Sequence, residues 1–107
     1  MIDWPRVKEL KDEIGQDDFG EVVELFLEEV EEIINKLRGD DRSQLEQDLH
    51  FLKGCALNLG FGSFSKLCLQ GERRAAEGGA DQVDLPAILD MFEASKHSFL
   101  TELPNQG

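Results

Sequence analysis

His50-Phe51-Leu52-Lys53-Gly54-Cys55-Ala56-Leu57-Asn58-Leu59-Gly60 is the stretch from which the rest of the chain is read. Around it, Leu45, Leu49, Leu52, Ala56 and Leu59 recur at three- and four-residue steps, the period of a helix with one apolar face. At roughly 100° per residue these five side chains fall within about 40° of a common direction, which is the core side. His50 points away from that direction. Lys53 lies about 60° to one side of it and Gly54 about 40° to the other, so all three share the outer face. Leu57 falls on His50's face by the same count.

That arrangement suits a nucleophilic imidazole. The ring must be reachable by a bulky partner, and glycine one turn on removes the obstruction. A lysine ammonium one turn away can stabilise phosphoryl oxygens as charge moves. A solitary exposed histidine would be an ordinary surface residue. The glycine argues otherwise, because mid-helix glycine costs ~1 kcal/mol relative to alanine and needs a reason.

The run resembles the signature of the histidine-containing phosphotransfer (HPt) family, His-x-Leu-Lys-Gly followed by small residues and a second glycine. His50, Leu52, Lys53, Gly54, Asn58 and Gly60 fit it, and Cys55 and Ala56 are acceptable. Leu57 is bulkier than the family's usual residue. The resemblance extends to helix number and lengths, and so covers most of the chain.

A chain of 107 residues fits one domain. With 40% hydrophobic and 32% charged residues it has material for one modest core and the surface of a soluble protein. A net charge of -12 makes nucleic acid and anionic membranes poor partners. No apolar run approaches the ~20 residues of a membrane span. Met1-Ile2-Asp3-Trp4-Pro5 has neither the basic nor the apolar region of a secretory signal. The two cysteines then read as free thiols in a reducing, cytoplasmic compartment.

The periodicity predicts helices over about 4–14, 18–38, 41–59, 63–77 and 85–102. Asp3 and Pro5 open the first, Trp4 anchors it, and Gly15 ends it. Gln16-Asp17-Asp18 punctuates before the long second helix. There Phe19, Val22, Val23, Phe26, Val30, Ile33, Ile34 and Leu37 make the stripe, and Gly39 is the stop. The glutamates of that helix read as a solvated face, since they lack the loop glycine and ligand alternation of a calcium site. Asp40-Asp41 opens the third helix, Gly60-Phe61-Gly62 turns the chain, and Ser63 caps the fourth. Phe64, Leu67, Cys68, Gly71 and Ala75 form its inner stripe, with Gly71 and Ala75 allowing close approach. After a linker at 81–84, Asp84-Leu85-Pro86 starts the last helix; Pro104 ends it and the following residues fray. His97 has neither a lysine three residues on nor a glycine four residues on, and reads as a surface residue.

The short turn makes the third and fourth helices an antiparallel hairpin. Counting outward from Phe61 puts His50 level with Glu72. A carboxylate there can accept the Nδ1 proton, fix the tautomer and leave Nε2 free to attack. Equally, Glu72 can be a surface glutamate or pair with Lys53 or Lys66. The HPt resemblance implies the orienting role, since the family often has Gln or Glu 22 residues after its histidine. Leu69 and Ala76 lie on the Glu72 side and, with Leu57 and Phe51, are the candidate docking residues; Arg73 fits either the rim or plain solvation.

No glycine-rich phosphate loop precedes a helix, so no ATP site is visible and autonomous kinase activity is not expected. The spacing of His50, Cys55, Cys68 and His97 matches no compact zinc pattern. Cys55 and Cys68 lie nearly level across the hairpin but read as free core thiols. The expected fold is all-α: an up-and-down antiparallel four-helix bundle over 1–107, with the short first helix as a lid near the His50 end. The resemblance implies a phosphocarrier without cofactor of its own, passing a phosphoryl group on His50 between the aspartyl phosphates of receiver domains, or from a sensor or hybrid histidine kinase. The receiver would bring Mg²⁺, and the first helix and the exposed faces of the second and third would help dock it. The chain reads as a free-standing, monomeric member of a bacterial-type multistep phosphorelay. The competing expectation is a helical interaction module that docks a receiver or kinase without accepting phosphate.

Overall fold

The structure, a computed structural model, describes residues 2–103. Five helices account for most of them: α1 (Trp4–Ile14), α2 (Gln16–Arg38), α3 (Leu45–Leu59), α4 (Gly62–Ala76) and α5 (Leu85–Glu102). A 3-10 turn, Ala80–Gln82, occupies the link between α4 and α5. The whole is an all-α bundle, elongated to 43 × 21 × 20 Å.

Local chemistry sets the starts and stops. Asp3 Oδ1 accepts the Arg6 N–H at 3.3 Å, and Asp84 Oδ1 accepts the Ala87 N–H at 3.1 Å, so both aspartates cap the helices they precede. The break between α1 and α2 is shorter than expected. Gly15 alone makes it, at φ +97°, and Gln16, Asp17 and Asp18 already form the first turn of α2. The Asp17 and Asp18 carboxylates meet the positive end of the helix, while Lys36 and Arg38 sit at its negative end.

α3 begins at Leu45 rather than near residue 41. Two sets of bonds hold the preceding segment out of the helix. Asp41 Oδ1 accepts from the Ser43 N–H at 3.1 Å and its hydroxyl at 2.6 Å. Arg42 donates to the carbonyls of Ala80 at 2.6 Å and Val83 at 3.0 Å, clamping this loop to the α4–α5 link. Such local bonds compete with the helical ladder. Ser63 also differs from expectation: Phe61 is the flanking residue of α4, which starts at Gly62. Leu103 is the last described residue, and the expected stop at Pro104 with the residues after it lies outside the described range.

The core runs the length of the bundle. Val23, Leu27, Val30, Ile34 and Leu37 of α2 meet Leu45, Leu49, Leu52, Ala56 and Leu59 of α3, with Phe64 and Cys68 of α4 and Ile88, Phe92 and Phe99 of α5. Burying each large aliphatic side chain stabilises by about 1.5–3 kcal/mol. Aromatic rings gather in the core: Phe64 lies 5.4 Å from Phe92, Phe61 lies 5.4 Å from Phe99, and Trp4 stacks on Phe99 at 5.8 Å. Trp4 thus ties α1 to α5.

α3 packs most extensively against α4. Gly71 makes the approach possible, since a Cβ there would lie 2.8 Å from Leu49 Cδ1 and 3.3 Å from Ile88 Cδ1. At the turn, Gly60 adopts the left-handed conformation, φ +78°, and its carbonyl accepts the Asp3 N–H at 2.6 Å. A Cβ on Gly60 would come 2.7 Å from the Asp3 carbonyl oxygen. α1 therefore seals the turn end of the hairpin, where Arg6 reaches Asn58 Oδ1 at 3.3 Å. That contact lies about two helical turns along α3 from His50, so α1 is not a lid placed at the histidine.

Candidate functional site

The site lies on the outer face of the α3–α4 hairpin. α3 is turned by its own stripe: Leu49 and Leu52, on either side of His50 in sequence, are fully buried, which forces the imidazole outward. The His50 side chain is 69% exposed. Its Nδ1 lies 3.0 Å from Glu72 Oε2, across the hairpin from α4. Lys53 Nζ donates to the other carboxylate oxygen, Glu72 Oε1, at 2.8 Å. Lys53 and Glu72 are far less exposed than the ring, at 21% and 18%.

Glu72 is held below the usual carboxylate range. The Lys53 ammonium bonded to it is the largest cause, ahead of partial desolvation, which acts the other way, and of the bond to His50. An ionised carboxylate can only accept hydrogen bonds. The imidazole must therefore donate from Nδ1, and a neutral ring then carries its lone pair on Nε2.

Gly54 is exposed, and a Cβ built on it would meet nothing within 4 Å. Leu57 and Phe51 are exposed apolar side chains on the same helix. Leu69 is half-buried, while Arg73 and Ala76 are exposed, all three on α4. Leu25 of α2 is a large exposed apolar residue that was not singled out from the sequence. Its signal was present, since it falls off the α2 stripe between Glu24 and Glu28.

The other candidate chemistries do not assemble. His97 is exposed on α5. Cys55 and Cys68 are buried free thiols, and burial pushes Cys68 up to about 12, far from a reactive thiolate. Among the described residues no group of His, Cys, Asp and Glu is placed to hold a metal ion. No helix of the described residues is long and apolar enough to cross a membrane.

Comparison with known proteins bears on this geometry. The family model described as "Hpt domain" matches residues 21–98. The phosphorelay protein LuxU of Vibrio vulnificus strain YJ016 is 25% identical over 107 residues, spanning 94% of this chain and 93% of the relative. LuxU of strain CMCP6 of the same organism matches to the same extent. No solved structure gives a significant match.

Proposed function

This chain belongs to the Hpt domain family and is a histidine phosphotransfer protein of a phosphorelay, and we propose that His50 is its phosphoacceptor, reacting through Nε2. The observation that carries this reading is the ring's posture: outward, bonded to Glu72 only through Nδ1, with open space above Gly54.

The Nε2 lone pair attacks the phosphorus of an aspartyl phosphate on a receiver domain. The Nε2–P bond forms as the acyl phosphate P–O bond breaks, and the aspartate leaves as a carboxylate. The ring keeps its Nδ1 proton and becomes a phosphoimidazolium, whose positive charge faces the Glu72 carboxylate. Lys53 offers a cation beside the transferring phosphoryl oxygens. The reverse sequence returns the group to a second receiver. Transfer is mostly a matter of in-line positioning. The receiver supplies Mg²⁺, and this chain needs no cofactor.

Gly54 leaves room for the receiver to close over the ring, and Leu57, Phe51, Leu69 and Ala76 form the apolar docking rim. The phosphoryl group comes from a receiver or a sensor or hybrid histidine kinase, not from an ATP site of this chain. The protein acts as a cytoplasmic monomer.

The test is phosphate transfer from a panel of phosphorylated receiver domains to the wild type and to His50→Gln. The expected result is acid-labile, base-stable label on the wild type alone. Binding of a receiver without any label would instead make the face a docking module.

A further inference from the structure

α4 carries a second stripe, on the face turned away from the core. Lys66, Leu69, Arg73 and Ala76 follow one another at three- and four-residue steps, and so stand in one row along the helix. Leu69 and Ala76 belong to the apolar rim, and Lys66 and Arg73 between and beside them are exposed. Glu72, the residue before Arg73, is bonded to His50, so Arg73 stands at the level of the ring and Lys66 about two turns along toward the Gly60 end. Arg6, Lys36, Arg38, Arg42, Lys53 and Lys96 are each paired with a carboxylate. Among the described residues Lys66 and Arg73 are paired with none. We propose that Lys66 and Arg73 are the cationic edge of the docking face and meet an acidic edge of the receiver domain, so that the receiver's carboxylates lie over α4 and not over α2.

The inference rests on His50 as the reacting residue and adds the way round in which the partner sits on it. The chain carries a net charge of -12, and the aspartyl phosphate it must meet is an anion. Their approach is repulsive except over local positive charge. Lys53, one turn from the ring, is committed to Glu72. The row on α4 supplies two cations that are not committed. α2 flanks α3 on the opposite side, where Lys36 bonds Asp48, and it exposes Glu28, Glu29 and Glu32. An acidic edge laid over α2 meets like charge, and the same edge laid over α4 meets opposite charge. That difference selects one orientation of the receiver. Arg74 offers the comparison that isolates the face. It is the next residue on the same helix and equally exposed, but it turns toward the α4–α5 link, where it reaches Gln82 Oε1 at 3.4 Å.

The experiment measures binding of an unphosphorylated receiver domain, the one of the panel that binds the wild type most tightly, at low and at high salt. Lys66→Glu, Arg73→Glu and Arg74→Glu are compared, since each changes the net charge equally. Lys66→Glu and Arg73→Glu should each weaken binding roughly fivefold at low salt, mainly through slower association. The gap from the wild type should shrink at high salt. Arg74→Glu should bind as the wild type does. Reversing a carboxylate of the receiver's acidic edge to lysine should restore affinity for Arg73→Glu while weakening it for the wild type. Denaturation midpoints check that the variants stay folded, and Lys66→Gln and Arg73→Gln, which remove charge without adding any, should show the same order with smaller losses. Equal losses in Arg73→Glu and Arg74→Glu would assign the effect to net charge and overturn the proposal, as would unchanged binding in Lys66→Glu and Arg73→Glu. The binding readout needs no phosphate, so failure of His50 to accept the group would show separately, in the labelling assay.

Discussion

Gly54 and Gly71 each sit inside one of two neighbouring helices, and the fold treats them in opposite ways. At Gly71 the space a side chain would fill is already taken by Leu49, Val83 and Ile88. At Gly54 that space is open to solvent. Helix propensity charges both positions about 1 kcal/mol against alanine. Close packing of α3 on α4 explains the first, and nothing inside the described molecule explains the second. The same contrast runs through adjacent residues. Leu49 faces the seam of the hairpin and His50 the outside; Gly71 faces the seam and Glu72 the outside. The inner face holds the bundle together, and the outer face is arranged for something that is not part of it.

Substitutions on the two faces should therefore separate stability from transfer. The largest contrast is between residues 49 and 50. Leu49→Ala should cost about 2–5 kcal/mol in chemical denaturation, because a fully buried leucine leaves a cavity. His50→Gln should change stability by less than ~0.5 kcal/mol while removing phosphate acceptance. Equal losses of stability would erase the distinction between the faces.

Next comes Gly71→Leu, which overpacks the seam and should cost about 1–3 kcal/mol, while the folded fraction still accepts phosphate. At Gly54 the sign reverses. Gly54→Ala should stabilise by about 0.5–1 kcal/mol, because no neighbour resists the methyl group. Gly54→Gln should keep the helix yet slow transfer by crowding the ring, and unchanged rates there would remove the reason given for the glycine.

The smallest effect is the pH response of Glu72. Its carboxyl lies below its ordinary value in the folded protein. Its contribution to stability is therefore complete above the ordinary carboxylate range and is lost as pH falls through the folded value. Glu72→Gln should be slightly less stable than wild type near neutrality and converge with it in strong acid, as read by denaturation midpoints across pH.

Much of this contrast is written in the sequence, because helical periodicity separates core from surface before any packing is known. The α3 stripe, the outward histidine and the level of Glu72 all follow from counting along two helices joined by a short turn. The start of α3 did not follow, because it depends on Arg42 reaching carbonyls of Ala80 and Val83, far along the chain. The placement of α1 was missed for a like reason: it rests on Asp3 docking at Gly60, a contact no local pattern encodes. At the site, the sequence offered Glu72 either His50 or a lysine as partner. The structure gives it both His50 and Lys53, and only the distances reveal that the carboxylate is shared.

The most direct test of the account is where phosphate sits on the phosphorylated protein. Tandem mass spectrometry under alkaline conditions would locate the residue, and phosphorus–proton correlation NMR would assign the ring nitrogen. The account predicts one phosphoryl group, on His50, attached at Nε2. Attachment at Nδ1, or at any other residue, would contradict it, because the bond from Nδ1 to Glu72 would then not govern which nitrogen reacts.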